Sequence, residues 1–553
     1  MFAIIAASAI GSSTETRGIT FEVWPADSLM KVLPTTKPPT SPEKFVYIDA
    51  VRNEYESGQI VVKALKKIDK LTVKVGEVIG PDGAKPRISV NFVGFVGIKR
   101  GTKDTPDEHL VARAPSEMPD PLLEVRSISV EAGRNQPIWL TVYVPKTAKP
   151  GEYTANVEIN ADGITQAILT RIRVHSITLP DERNLFLTNW FNTGNIASAH
   201  GLQIWSEAYW EMLEAYASIM AGHRQNVVIT PIMELINGRD DGKGNLTFDF
   251  SRFDRWVEIF KKTGVIGYIE GGHLGSRSEW EAPDFDASWP SIFMPDGSLR
   301  TNPSVKVTSE EYKRFLSFFL PALQRHLEEK DLLEVYFQHL CDEPISTNAV
   351  SYKKLASYVR EYAPKLKIIE ACMCNELVGA LDIWVPQPPH YERDIEFFRE
   401  RQKAGDQVWF YTCLSPTGKY MNRFIDYPLI DVRLLHWVNF KYGLTGYLHW
   451  GLNYWVNEDP FGQLEPDWDG GNYLPPGDSH IIYPGNRGPI SSIRFEALRD
   501  GVEDFELLRL LEKKDAKKAR AIVDSVVRSL TDYVMDPAEF RKARAMVVKY
   551  LEE

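Results

Sequence analysis

From Leu179-Pro180 onward the chain repeats one rhythm: a short apolar run, a loop, then an amphipathic segment at helical spacing. Eight apolar runs follow one another: Leu185–Phe191, Asn226–Thr230, Val265–Glu270, Leu332–Leu340, Leu366–Ala371, Asp382–Val385, Gln407–Thr412 and Thr445–Trp450. Helical periodicity over 204–221, 251–263, 308–329, 346–363, 390–404 and 429–442 separates most of them; the fifth-to-sixth connection is too short for a full helix. Apolar strands alternating with helices describe a parallel sheet buried on both faces. Eight of them suit a (β/α)8 barrel, which we place over residues 181–511. A doubly wound sheet is the competing architecture, but no Gly-rich phosphate turn follows the first strand.

The 553 residues leave room for more than the barrel. Residues 20–180 carry short β-rich runs cut by turn signals such as Pro81-Asp82-Gly83, Lys149-Pro150-Gly151 and Ala161-Asp162-Gly163. That spacing, without a convincing helix, reads as a β-sandwich. After a Gly/Pro/Asp-rich loop at 451–490, helices are expected over 491–511, 514–530 and 536–552, the last two forming a C-terminal extension over 512–553. Their Lys and Arg residues alternate with apolar positions, the pattern of a solvated outer face. Cys341, Cys372, Cys374 and Cys413 match neither a CxxC redox pair nor a zinc knuckle and read as buried free thiols. Phe2–Ile10 is an apolar run ending in small residues, including Ala7-Ser8-Ala9, like the back half of an export signal, but no basic residue precedes it. Secretion or a periplasmic location fits that run; a cytoplasmic location fits the missing basic residues. No segment is long enough to span a bilayer.

Lys plus Arg number 64 against 75 Asp plus Glu, a net charge of −11 with no basic stretch, which argues against a nucleic-acid partner. In a barrel the chemistry lies at the C-terminal strand ends. There the chain places Trp190, Glu234, Glu270, His273, Asp342-Glu343, Glu370, Trp384, Tyr411 and Trp450, a collar both acidic and aromatic. It lacks the clustered Lys and Arg of a phosphate site. The sharpest feature is Asp342-Glu343, two consecutive carboxylates closing an apolar strand and stopped by Pro344. A helix N-terminal cap would account for them. The chemical reading is acid catalysis at a glycosidic bond. Ordinary glycosidases draw their two carboxyls from opposite sides of the sugar. Neighbours suit another division of labour, in which the 2-acetamido oxygen of the substrate itself attacks the anomeric carbon. Glu343 then protonates the leaving oxygen and later activates water, while Asp342 steers the acetamido N–H.

Several segments in chain order resemble glycoside hydrolase family 123. They are Val51–Gln59 (VRNEYESGQ), His339-Leu340-Cys341-Asp342-Glu343-Pro344, Tyr411–Pro416 (YTCLSP), Asn422–Pro428 (NRFIDYP), Gly446–Trp455 (GYLHWGLNYW) and Ser492–Asp504 (SIRFEALRDGVED). The resemblance implies retaining, exo-acting β-N-acetylgalactosaminidases with an N-terminal sandwich and a catalytic barrel, acting on a glycan or glycolipid without a cofactor. It implies the same roles for Asp342 and Glu343. It also implies a sugar pocket lined by Tyr411, whose hydroxyl binds the acetamido oxygen, and Trp450, stacked on the ring. The segment Asn189-Trp190-Phe191-Asn192 and the loop 271–307 match the family pattern poorly.

Twelve of the 14 Trp lie between 190 and 468, which suits a carbohydrate cleft. Core packing and a sugar platform fit Trp190 and Trp384 equally. Asn453 stands beside Trp450 and is taken as a substrate contact. Asp478 follows Gly477 in the last loop, where a plain turn and a hydroxyl-binding carboxylate both fit. His339 is assigned to orienting the acid pair rather than to a metal, since no metal-ligand spacing occurs. Arg494, Glu496 and Arg499 are expected to tie the last helix to the barrel. The competing functions are a glycosidase for another β-hexosaminide or for a sugar without the acetamido group, drawing on Glu234, Glu270 or Glu370, and a non-catalytic carbohydrate-binding protein.

Overall fold

The computed structural model describes residues 20–301, 304–455, 459–468 and 471–553. The apolar run Phe2–Ile10 lies outside them. Among the described residues no helix is long and apolar enough to cross a membrane.

Ten strands near the N-terminus form two five-stranded sheets. One runs in the order Phe21–Ala26, Glu54–Ala64, Asn135–Val144, Arg87–Ile98, Ser116–Leu123. The other runs Phe45–Arg52, Ile164–Thr178, Gly151–Ala161, Ile68–Val75, Ile128–Val130. Alternate residues such as Val46, Ile48 and Ala50 on one sheet and Ile138, Leu140 and Val142 on the other build the apolar layer between them. The edge strand Ser116–Leu123 contains Pro119 and Pro121, tolerable there because an edge leaves one row of N–H groups unused. The first sheet is covered on its other face too, since Val93, Leu122 and Trp139 join the large apolar core of the remaining chain.

Eight strand positions then follow in parallel: Phe186–Asn189, Val227–Thr230, Tyr268–Gly271, Tyr336–Gln338, Lys367–Cys372, Ile383–Pro386, Gln407–Val408 continued by Phe410–Thr412, and Gly446–His449. They make one sheet of six strands and one of three, and the first strand pairs with the eighth. Single backbone bonds join the sheets at both margins, Trp409 N–H to Trp384 C=O (2.9 Å) and Asn226 N–H to Leu187 C=O (3.3 Å). Val227, Phe337, Ile369, Ile383, Val385, Trp409 and Leu448 form a separate cluster inside the ring. Insertions after the second and third strands add a small sheet, Asn237–Asp240, Leu246–Asp249, Ser291–Phe293 and Leu299–Arg300, which the sequence pattern did not announce.

The expected helix over 390–404 is divided into Pro388–Arg393 and Ile395–Ala404. The helix Ile493–Val526 runs straight through residue 511, with its break at Asp515 (φ −153°, ψ 90°) rather than at 512–513.

Two of the quoted segments, from opposite ends of the chain, meet in a buried ionic knot. Arg433, on the helix Leu429–Tyr442, donates to both oxygens of Glu56 (3.0 and 2.9 Å) and from Nε to Asp504 (2.7 Å). Arg544, on the final helix Pro537–Glu552, donates to Asp504 (2.8 Å) and pairs with Glu54. Nearby, Arg494 donates to Asp120 (2.8 Å) and to the Gly477 carbonyl (2.9 Å), and Glu496 meets His223 Nε2 (2.9 Å), contacts that tie this helix to other parts of the chain, whereas Arg499 pairs with Glu496 within the helix itself.

Removing one partner of such a buried pair costs about 3–5 kcal/mol. Arg433→Met should therefore lower the thermal unfolding midpoint sharply, whereas Lys67→Ala, which removes an exposed pair with Asp69, should barely move it. Equal shifts in the two variants would contradict the role given to the knot.

Candidate active site

A cavity of about 780 Å³ opens at the C-terminal ends of the ring strands. Its walls include Trp190 from the first strand end, Glu234 after the second, His273 after the third, Asp342 and Glu343 after the fourth, Tyr411 from the seventh and Trp450 from the eighth. That volume is within the usual range for small-ligand sites, about 300–1,000 Å³.

The acid pair is held by its backbone. Glu343 has φ +47°, a left-handed conformation that a non-glycine residue adopts at a cost of about 1–3 kcal/mol. Arg277, on the loop after the third strand, donates from Nη2 to the carbonyls of both Asp342 and Glu343, the latter at 2.5 Å. Its guanidinium lies 4.2 Å from the ring centre of Trp280. The Tyr411 hydroxyl donates to Glu343 Oε1.

Beneath the pair, His339 is fully buried between two carboxylates. Its Nδ1 lies 2.8 Å from Glu370 Oε1 and its Nε2 3.1 Å from Glu270 Oε1, so the ring is doubly protonated. Burial alone would lower its pKa, but Glu370 and Glu270 outweigh that and push it up to about 10. Burial would raise Glu370; His339 and His273 hold it down to about 2. The second oxygen of Glu370 accepts the backbone N–H groups of Leu340 (2.8 Å) and Cys341 (3.1 Å) and the Tyr352 hydroxyl (3.2 Å). The histidine thus fixes the carboxylate, and the carboxylate fixes the chain entering Asp342.

The carboxyls of Asp342 and Glu343 are tuned the other way. Burial, then the neighbouring Asp342, raises Glu343 to about 7, against the lowering effect of Tyr411 and Arg277. Asp342 is also raised, by the surrounding protein first and by Glu370, with His273, His339 and Arg277 opposing. Its side chain nevertheless opens into the cavity, where water or a ligand reaches it.

The other proposed site residues divide. Trp190 lines the cavity and donates from Nε1 to Glu270 (3.4 Å). Trp450 lines it as well, its Nε1 held by Asp478 Oδ2 at 3.2 Å. Asp478 is fully buried, off the cavity wall, with burial lifting it to about 7. It positions Trp450 instead of facing a ligand. Gly451 allows this approach, because a Cβ there would lie 2.4 Å from the Asp478 carbonyl oxygen. Asn453 is likewise buried; it accepts the Asn192 N–H (2.7 Å) and donates to the Asn192 carbonyl (3.1 Å), tying the eighth strand end to the first. Trp384 does not belong to the site. Ile383 and Val385 point into the ring, so the period of two turns Trp384 outward, where it bonds Asp406 (3.0 Å) and packs on Phe397.

Of the rival carboxylates, Glu270 and Glu370 are fully buried and committed to His339, while Glu234 faces the cavity. His273, His339 and Glu370 bring possible metal-ligand atoms within 4.8 Å of one another. A metal would require a deprotonated His339 ring, and both its nitrogens already face carboxylate oxygens. Arg277, Tyr454 and Trp468 were not singled out from the sequence. Tyr454 falls inside the quoted segment Gly446–Trp455, whereas Arg277 sits in a loop without periodicity or motif.

A family model described as the glycoside hydrolase 123 catalytic domain matches residues 190–511, and one for the glycoside hydrolase 123 N-terminal domain matches 34–161. No match is found among curated proteins. Among solved structures, a family 123 glycoside hydrolase from Clostridium perfringens, described in connection with glycolipid glycan hydrolysis, superposes with a TM-score of 0.73. The two chains are 17% identical, with 97% of each covered, so they share a fold. A GH10 xylanase with a bacterial Ig-like domain, from termite gut, reaches a TM-score of only 0.30 at 10% identity, over 84% of this chain and all of its own.

Arg277→Ala should lower turnover about tenfold or more by freeing the strained backbone, and should shift the alkaline limb of kcat/KM to higher pH. The sign follows because the lost cation favoured the ionised form of Glu343. Arg277→Lys keeps the charge, so its limb should stay near wild type while turnover still falls. An unshifted limb in the alanine variant would contradict this electrostatic role.

Proposed function

This chain belongs to glycoside hydrolase family 123, and from that premise we propose that it is an exo-acting, retaining enzyme that removes terminal β-linked N-acetylgalactosamine. The ring is read as a (β/α)8 barrel over 181–511, flanked by a sandwich over 20–180 and a helical extension from 512. The observation that carries the mechanism is the pairing of adjacent Asp342 and Glu343 with a floor in which Glu270 and Glu370 are already consumed by His339. A glycosidase needing a second carboxylate across the sugar would have to use Glu234.

In the proposed reaction the Glu343 carboxyl gives its proton to the glycosidic oxygen as the C1–O bond breaks. The acetamido carbonyl oxygen attacks C1 from the opposite face, forming an oxazolinium ring and releasing the aglycone alcohol. Asp342 accepts the acetamido N–H and balances the positive charge. Glu343, now a carboxylate, takes a proton from water, whose oxygen opens the ring at C1; two inversions give net retention. A carboxyl lifted to about 7 suits both halves of that cycle. Tyr411 orients Glu343, and Trp450 and Trp190 offer faces to the sugar. No cofactor enters these steps. The Clostridium relative supports a glycolipid or glycan as the class of aglycone carrier.

The test is a panel of 4-nitrophenyl β-GalNAc, β-GlcNAc and β-galactoside with wild type, Glu343→Gln and Asp342→Asn. We expect the acetamido sugars to be cleaved, GalNAc preferred, with losses of at least about 100-fold in each variant. The rate should fall as pH rises past about 7, where Glu343 loses its proton. Cleavage of the galactoside alone, with Glu234→Gln inactive, would replace this reading by a two-carboxylate mechanism.

A further inference from the structure

The cavity wall is unevenly exposed. Tyr411 and Trp190 are 3% and 7% exposed, whereas Ile204, Leu414 and Trp468 are 36%, 39% and 57% exposed. If the sugar being cleaved occupies the closed end beside Tyr411, Trp190 and Glu343, the group it leaves must extend past the exposed residues. Trp468 is the large flat surface there.

Trp468 itself is held by backbone pairing: its N–H bonds the Asn472 carbonyl (2.7 Å), and Leu474 N–H bonds the Pro466 carbonyl (2.9 Å). The N-terminal sheets hold it from outside. Arg100 donates its backbone N–H to Glu465 (2.9 Å) and Nη1 to Asp467 (2.7 Å), and its guanidinium lies 4.3 Å from the ring centre of Tyr473. Lys103 donates to Asn472 (3.2 Å), and the Tyr473 hydroxyl donates to the Gly101 carbonyl (2.8 Å). An indole kept in water by a segment anchored on both sides is preorganised for contact.

Resting on the reading of this site as an exo-glycosidase, we propose that Trp468 is the stacking platform for the pyranose ring next to the scissile bond, and that Arg100 positions it. The neighbours favour a sugar over a lipid chain. Asp467, ion-paired with Arg100, and Asn472, held by Lys103, make the surface beside the indole polar and charged, which suits a ring with one C–H face and a rim of hydroxyls better than a lipid chain, beneath which such groups would be desolvated. The sandwich thereby takes part in substrate selection, through Arg100 behind the indole and Lys103 beside it.

The experiment compares kcat/KM for three substrates sharing one terminal β-GalNAc: the glycosyl fluoride, which has almost no aglycone, a β-GalNAc-terminated disaccharide, and the octyl glycoside. Trp468→Ala should lose about tenfold on the disaccharide, the scale of one aromatic contact, and leave the fluoride unchanged. Trp468→Phe should recover most of the loss, and Arg100→Ala should reproduce part of it on the disaccharide only. Unchanged fluoride turnover also shows that each variant is folded. Equal effects on fluoride and disaccharide, or none on the disaccharide, would overturn the platform while leaving the proposed function intact. A loss on the octyl glycoside as large as on the disaccharide would overturn the choice of a sugar. A wild-type enzyme inactive on all three would overturn the functional reading and the platform with it.

Discussion

His339 between Glu270 and Glu370 is the contact on which the rest of the site depends. A doubly protonated imidazole with a carboxylate on each nitrogen is a compact way to bury two negative charges. It has two consequences for chemistry. It withdraws from reaction two of the acidic residues that the strand ends supply. It also turns Glu370 into a clamp on the Leu340 and Cys341 amides, so that the next two residues project into the cavity as a pair. Arg277 completes the arrangement from above by holding the pair's carbonyls. The division into a low carboxylate at about 2 and a high one at about 7, a few residues apart in space, suits a site that separates support from the acid role proposed for Glu343.

The same economy operates at larger scale. The ionic knot of Glu54, Glu56, Arg433, Asp504 and Arg544 joins a strand of the N-terminal sheets to three helices from the rest of the chain. Arg494 adds a link from Asp120 to the backbone beside Asp478, which in turn holds Trp450. A continuous set of buried contacts therefore runs from the first sheet to a wall of the cavity. The sheets brace the site rather than hang from it.

Much of this was legible in the sequence because burial writes itself plainly into parallel strands. Runs such as Val227–Thr230 and Ile383–Pro386 are nearly all apolar, and the adjacent Asp342-Glu343 has few structural explanations after such a run. What escaped did so for local reasons. Pro119 and Pro121 make Ser116–Leu123 look like a turn, although an edge strand tolerates them. Trp384 was assigned by nearness to a strand end, while the parity of its neighbours decides which way it faces. Asn453 and Asp478 carry polar side chains whose partners, the Asn192 backbone and the Trp450 indole, come from the packing of separate strand ends and loops. Arg277 left no mark at all: a single cation in an aperiodic loop acquires meaning only when the loop folds over the fourth strand end.

The central claim is that the substrate's own acetamido oxygen takes the place of a second enzyme carboxylate beside Asp342 and Glu343. The most direct measurement is kcat/KM for a series of 4-nitrophenyl β-GalNAc substrates whose acetyl group carries zero, one, two or three fluorines. Each fluorine drains electron density from the attacking oxygen, so the account predicts a steep, continuous fall across the series. A rate indifferent to fluorine would contradict it and return the role of nucleophile to the protein.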